Sequence, residues 1–589
     1  MDFASRATRV GSGKQQPRVR ALGIVVAALL TIVMAGCAGS FTKSASNVTD
    51  TTATLRGSVS DPDDATVSYW FEYGPTKAYG SETTHRSIVI NDRDSHDVSE
   101  DLSGLDPGTT YHFRTCAKEP VTVCAADRSF TTTGGATVLS ITADPELYPD
   151  FDPTINDYVM DCAGGPIEMT VVAPADTEVA VDGEDARNGT FTTEVPLQAN
   201  QRFSFDVSTG AGNTTHHVRC LPDDFPEWTF EEFGAADWQW YIVAPSTGGP
   251  RYTIVFDGHG VPVWWFQGTG GDSKYLDDGT LAWVQGTMGN DPRYQIRALD
   301  GTLLNTVRTV DTELDDHDLQ LLPNGNYMVM SYKPRAGTVD LTAYGGPADA
   351  AVLDAELQEV EPDGDLVWSW NSETHIGLDE TDHWWDDFVL ANPTRFGPGH
   401  DVVHINSVEV TNGSVVASMR HTDGIYKIDR STGDIVWKLG GTTTPESLTV
   451  IGDPLGADPL GGQHDARILD DGTLTVHDNG TNKSRPPRAV RYQIDESAGT
   501  ATLLESVSDP DAPAANCCGS ARRSALGSWV AAWGGLGVTE HPVSEFKADG
   551  TQTFKLLFPG EFSYRANPVP FGELGRADLR DGMDAQHPR

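Results

Sequence analysis

The sequence predicts an all-β protein: a six-bladed β-propeller preceded by two small β-sandwich modules. Three observations carry this. From about Trp228 to Pro559 one pattern recurs: a hydrophobic strand, an Asp/Asn-Gly turn, a second strand, then another such pair. Ahead of it, residues 46–133 and 137–222 alternate apolar and polar residues in short runs, as half-buried strands do. Glycine (60) and proline (35) are abundant without a Gly-X-Y period, which suits turns between many short strands.

The first 37 residues read as a targeting segment. Arg6, Arg9, Lys14, Arg18 and Arg20 form a basic region, and ALGIVVAALLTIVMAG follows. That apolar run has the length of a signal-peptide core and is short for a free-standing span. It ends Met34-Ala35-Gly36-Cys37, which resembles a bacterial lipobox. The resemblance implies that Cys37 is lipidated, becomes the first mature residue and anchors an extracytoplasmic lipoprotein to the bacterial cell membrane. The alternative is an ordinary cleaved signal or an uncleaved anchor.

Six cysteines remain, an even number that suits an oxidising compartment. The simplest pairing follows chain order: Cys116 with Cys124, Cys162 with Cys220, and Cys517 with Cys518. The last pair is either a vicinal bridge or two free thiols. Acidic residues (85) outnumber basic ones (41), giving a formal charge of −44. Such a surface repels phosphate backbones, so nucleic acid is excluded as a partner.

In residues 46–133 the strands TATLRGSVS, TVSYWFEYG and TTYHFRTC alternate well, and LDPGTTY looks like the tyrosine corner of fibronectin type III domains. In 137–222, LSITADPELYPDFDPTINDYVMDC resembles cadherin-like sandwiches of bacterial surface proteins. Neither module shows a catalytic constellation, so spacer or adhesive roles are expected. The repeat of residues 228–570 then runs through YLDDGTLAWVQ with ALDGTLLNTV, LQLLPNGNYMVMSY with VEPDGDLVWSW, VEVTNGSVVASMRH with KIDRSTGDIVWKL, RILDDGTLTVHDN with YQIDESAGTATLLE, and SWVAAWG with EFKADGTQTFKLL. An opening unit near WQWYIVAP makes six. Residues 571–589 read as a polar tail.

Propeller sites lie where the first strands of the blades meet. His317, His404 and His464 each precede the first hairpin of their own unit, so all three point toward one place. Asn406 follows His404 by two and shares its face on a strand. Arg420 closes the partner strand. Three imidazoles, one amide and one guanidinium, with no carboxylate required, suit an anionic group with tetrahedral oxygens. Asp318 and Asp465 follow cluster histidines and are expected to hold loops. His421 and His477 are expected in packing or at the surface.

HDLQLLPNGNYMVMSY (317–332), HINSVEV with SMRHTDGIYKID (404–410, 419–429) and QHDARILDDGTLTVHDNG (463–480) resemble the three signature regions of bacterial arylsulfate sulfotransferases. The resemblance implies a six-bladed propeller that moves a sulfuryl group from a phenolic sulfate ester to a phenol, with no cofactor and no nucleotide sulfate donor. It implies that His464 is the transiently sulfated nucleophile of a ping-pong reaction. His317, His404, Asn406 and Arg420 then bind the sulfuryl oxygens and assist proton transfer. Val402 and Val403 depart from the family pattern, which has an aromatic residue there. The long connection 371–396 offers Trp384, Trp385 and Phe388 as stacking surfaces for a phenol ring. A homodimer is a further expectation.

Two rival readings follow from the same residues. The histidines with Asp315, Asp316 and Asp465 compose a divalent-metal site of an esterase, against which Arg420 would repel a cation. A propeller carrying adhesive modules also fits a non-enzymatic surface-binding protein.

Overall fold

The computed structural model describes residues 38–589 except 50, 62–64, 92–93, 107, 134–137, 163–165, 175, 246–250, 269, 288 and 536–541. The targeting segment, Cys37 included, lies outside the described residues, as does His541. The described chain forms two compact units. One comprises 38–151, 167–195 and 204–215; the other comprises 152–166, 196–203 and 216–589.

In the first unit, Gly39–Ser46, Thr52–Ser60 and His96–Ser103 form one sheet, and Ala65–Gly74 pairs with Thr110–Lys118 in another. Alternation in TYHFRTCAK turns Tyr111 and Phe113 inward, where Leu55, Val67 and Phe71 complete the core. The Tyr111 hydroxyl accepts a hydrogen bond from the Asp106 N–H at 3.0 Å. Cys116 and Cys124 are disulfide-bonded across adjacent strands. Ser140–Asp144, Ile167–Ala173 and Gly189–Val195 form a further sheet of this unit.

The second unit begins with Asp157–Asp161, paired in parallel with residues 217–221 and stapled by the Cys162–Cys220 disulfide. The stretch 137–222, expected as one module, is thus shared between the two units. Six sheets of four or five main strands follow, antiparallel except that His400–Asp401 and Thr449–Ile451 each join one in parallel. Their innermost strands are Gly270–Tyr275, Glu313–Leu321, Ile405–Thr411, His464–Ile468, Ser520–Arg523 and Ser563–Val569. Each lies against the next, and the last against the first, so the ring closes as a six-bladed propeller. Closure uses both ends of this region. Ser563–Val569 pairs with Trp240–Pro245 as the inner strand of the opening blade, and Thr229–Glu232 pairs with Gln552–Leu557 as the outer strand of the final one.

The hairpin turns explain the repeat. Gly279, Gly325, Gly413, Gly472 and Gly550 all sit at φ between 77° and 87°, where a Cβ would be strained. The end of the chain departs from the sequence expectation. Arg576–Gln586, read as part of a polar tail, is an α-helix that buries Leu579, Gly582 and Met583. A Cβ at Gly582 would fall 2.7 Å from the Leu299 carbonyl oxygen, and Arg580 Nε donates to Asp157 at 2.7 Å. Two apolar side chains four apart give too narrow a stripe to signal a helix. Tertiary charge pairing supplies what the pattern lacks.

Candidate active site

Three innermost strands break their register at the expected residues. The bulge between Leu314 and Leu319 holds Asp315, Asp316, His317 and Asp318. Those at Ile405/Ser407 and His464/Arg467 hold Asn406 and Asp465. A bulge leaves residues unpaired and re-aims their side chains, a common device beside active sites. His404 itself sits at φ 49°, a left-handed conformation, so the extended face shared with Asn406 does not extend back to it.

His464 is 1% exposed. Its Nδ1 faces two acceptors, the Gly462 carbonyl and Asn479 Oδ1, each at 2.9 Å. Its Nε2 faces a donor, the Cys518 backbone N–H, at 3.1 Å. These partners put the ring proton on Nδ1 and the lone pair on Nε2. Burial, and then the charge of Arg420, push the pKa well below the usual imidazole range, so the ring is neutral.

His317 and His404 meet edge to face, with ring centroids 5.0 Å apart. Both are oriented by carboxylates: Asp315, which the sequence offered only as a metal ligand, and Asp401, which it did not single out. His317 Nδ1 lies 2.7 Å from Asp315 Oδ1, and His404 Nδ1 lies 2.6 Å from Asp401 Oδ2. Burial alone would lower the His317 pKa, but the Asp315 carboxylate outweighs it and the value rises to about 9. Burial and the charges of His317 and Arg420 push His404 well below its ordinary value. Burial raises Asp401 to about 6. One imidazolium thus stands beside two neutral imidazoles. The signal for these carboxylates was present in DDHD and HDVVH: an acid two or three residues before each histidine.

Arg420 is buried, with its guanidinium 4.2 Å above the Trp384 ring. Its Nη2 donates to the Asn516 carbonyl at 2.7 Å, its Nη1 to His421 Nε2 at 2.9 Å, and its Nε has no protein partner among the described residues. Trp384 is therefore a platform for the arginine, held by its own N–H on Asp423 Oδ1 at 3.0 Å. Trp385 is buried against Tyr344, with its N–H on the Leu378 carbonyl, and presents no stacking face. The half-buried rings beside the histidines are Phe388, 5.2 Å from His421, and Phe396, 4.5 Å from His404. Phe396 supplies an aromatic face at His404, where Val402 and Val403 do not. His421, expected in packing, is fully buried within the cluster, with its centroid 4.8 Å from His404. His477 lies buried against Trp533.

Asn406 is fully buried. Its Nδ2 donates to the Gln463 carbonyl at 2.8 Å, and its Oδ1 has no protein partner among the described residues. Beside it lies a charged layer drawn from the innermost strands. Arg467 donates to Asp318 at 2.6 Å and to Asp465 at 3.0 Å, Arg522 donates to Asp465 at 2.8 Å, and Arg565 lies 3.1 Å from Asp318. Lys274 bridges Asp272 and Asp318. Asp318 and Asp465 thus tie blades together rather than hold loops.

Cys517 and Cys518 are free thiols, so no vicinal bridge is present. Two carboxylate–histidine groups bring their ligand atoms within 4.8 Å of one another: Asp401 with His404 and His421, and Asp315 with Asp316 and His317. The first fits a cation poorly. Both His421 nitrogens are taken, Nδ1 by the Asp401 carbonyl and Nε2 by the Arg420 guanidinium. In the second, His317 carries its own positive charge beside the carboxylates.

No curated protein sequence matches this chain. Among solved structures, a quinonprotein alcohol dehydrogenase-like protein from Bacteroides thetaiotaomicron is 11% identical, covering 72% of this chain and 98% of that one, with a TM-score of 0.29. TolB from Acinetobacter baumannii is 11% identical, covering 73% and 83%, with a TM-score of 0.23. A sensor domain of the anti-sigma factor RsgI4 in Pseudobacteroides cellulosolvens is 21% identical, covering 16% and 95%, with a TM-score of 0.14. These likenesses bear on neither activity nor ligand. The family model for arylsulfotransferase (ASST) matches residues 236–553, more than half of the chain, and encloses His317, His404, Asn406, Arg420 and His464. The chain belongs to the arylsulfotransferase family and is a sulfotransferase.

Proposed function

We propose that this enzyme transfers the sulfuryl group by a ping-pong reaction through a sulfohistidine at His464. The observation that carries the reading is the hydrogen bonding of the ring: two acceptors face Nδ1 and one backbone N–H faces Nε2, which puts the lone pair on Nε2, where the charges of Arg420 and His317 bear on it. Nε2 attacks sulfur, the S–O bond to the aryl oxygen breaks, and an aryl oxide leaves. The Cys518 N–H that caps Nε2 at rest gives way to the substrate. Arg420, through its unpartnered Nε, and the His317 imidazolium stabilise charge on the sulfuryl oxygens. In the second half a phenol attacks the sulfo-imidazole, passes its proton to a base, and restores the ring.

His404 is suited to that base. It is neutral, Asp401 fixes its Nδ1, and Phe396 offers a stacking face for the acceptor ring. Asn406 binds a sulfuryl oxygen once its amide turns from Gln463. Outside the described residues, the basic-apolar-Cys37 segment supports anchoring as a lipoprotein, with the N-terminal modules as fibronectin type III-like and cadherin-like spacers. A homodimer is compatible with that anchoring.

The test is incubation of the mature protein with a nitrophenyl sulfate and phenol. Phenol-dependent release of nitrophenolate is expected, together with a sulfo adduct on His464 by intact mass when the donor is supplied alone. His464→Ala should lose both the adduct and turnover. A His464→Ala enzyme of undiminished turnover would overturn the assignment.

A further inference from the structure

Cys517 and Cys518 are adjacent, half-buried free thiols, and the peptide bond between them carries the N–H that donates to His464 Nε2. The same segment holds the arginine, since Arg420 Nη2 donates to the Asn516 carbonyl. It is fixed from outside by Asn479, whose Nδ2 donates to the Cys518 carbonyl at 2.8 Å. Gly535 fixes it twice: its N–H donates to the Cys517 carbonyl at 2.8 Å, and its carbonyl accepts from the Asn516 N–H at 2.6 Å. Cys518 sits at φ 68°, a left-handed conformation for a non-glycine residue.

We propose that Cys517 and Cys518 are a thiol–disulfide modification site that controls the aim of His464. The inference rests on the reading of His464 as the nucleophile. Adjacent Cα atoms across a trans peptide lie about 3.8 Å apart, short of the roughly 4.4–6.8 Å that disulfides prefer. Closing a bridge between neighbours therefore distorts the peptide inside the ring, and that peptide is the one aimed at Nε2. Strained, reachable disulfides are the reducible, regulatory ones.

The chemistry balances with a small-molecule disulfide as oxidant. The Cys517 thiolate attacks one oxidant sulfur and releases one thiolate. The Cys518 thiol then loses its proton, attacks the Cys517 sulfur of the mixed disulfide and releases the second. Two protein thiols are oxidised and one disulfide is reduced to two thiols. The hydrogen bond from Cys518, acting against burial, and the charge of Arg420 bring the Cys517 thiol down to about 7, which makes it the attacking sulfur.

The test uses the mature protein, first held in reduced glutathione and then treated with glutathione disulfide. Three readouts are followed: intact mass, the ring-nitrogen NMR signal of His464 Nε2, and phenol-dependent turnover. The expected result is a mass lower by two hydrogens with no lasting glutathione adduct, a shifted Nε2 signal, and turnover reduced about tenfold or more. Reduced glutathione should restore all three. Cys517→Ser should keep turnover under both conditions. Failure to close the ring overturns the proposal, as does a closed ring that leaves the Nε2 signal and turnover unchanged. If the chain shows no sulfuryl transfer at all, the function reading fails, and mass and NMR still decide whether the dithiol steers His464.

Discussion

Asp315 accepts two hydrogen bonds from His317, one from its backbone N–H at 2.9 Å and one from its ring Nδ1 at 2.7 Å. A buried carboxylate gripping one residue in this way fixes both the position of the imidazole and its charge. His317 stays an imidazolium up to about pH 9, edge to face with the His404 ring.

That pairing sets a pH limit. The His317 pKa is raised, so whatever its positive charge contributes to activity or stability is fully present below the unfolded value of about 6.5 and is lost as pH rises through about 9. Asp315→Asn should move the alkaline limb of the kcat/KM profile toward neutral pH. An unchanged limb would remove His317 from the titration.

Asn479 decides the tautomer of the proposed nucleophile together with Gly462. Asn479→Ala leaves the Gly462 carbonyl as the remaining acceptor for Nδ1–H, and it also frees the Cys518 carbonyl. Turnover should fall about tenfold to a hundredfold while the fold persists. Stopped-flow formation of the sulfo-enzyme would show the loss in the first half-reaction.

Arg420 and Trp384 act as a stack. Arg420→Lys replaces the planar fork with a point charge and should cost about a hundredfold or more in kcat/KM. Trp384→Leu keeps the fork but removes its platform, a cation–π contact worth about 2 kcal/mol when desolvated, and should cost less. Equal losses in the two variants would mean that Trp384 touches the substrate directly.

Phe396 should govern the acceptor rather than the donor. Phe396→Ala is expected to raise the acceptor KM several-fold and to leave the rate of nitrophenolate release in the first half-reaction nearly unchanged. A parallel loss in both halves would place Phe396 at the sulfuryl site instead.

The charged layer predicts acid sensitivity. Burial alone would raise the Asp318 carboxylate, but Arg467, then Lys274 and Arg565, outweigh it and hold it well below its ordinary value. Its stabilising effect is therefore present above the unfolded value of about 4 and is lost as pH falls through the depressed one. Arg565→Met removes one of these cations and leaves Asp272 and Asp318 less compensated, at a cost of about 3 kcal/mol. Thermal melts from about pH 2 to about pH 7, a range that takes in carboxylate titration, should show the variant losing stability at higher pH than the parent. Coincident pH curves would discount the pairing.

The sequence by itself determined the hairpin repeat, because a turn needing positive φ selects glycine locally and a strand pair needs alternation locally. It therefore exposed the all-β class, the six units and the three histidines, each placed before its own hairpin. It also exposed Cys116–Cys124 and Cys162–Cys220, whose pairing followed chain order. Only the tertiary structure decided what surrounds those histidines. Asp315 and Asp401 reach their rings because bulges and a left-handed residue turn the strand, and no period in the sequence records such a turn. Trp384 and Trp385 are neighbours in sequence, yet one carries Arg420 and the other packs against Tyr344, since that difference depends on a connection folding back over a blade. The tail became a helix for the same reason: Arg576 and Arg580 find Asp157 more than four hundred residues away, and charge pairing over such a distance leaves no local trace.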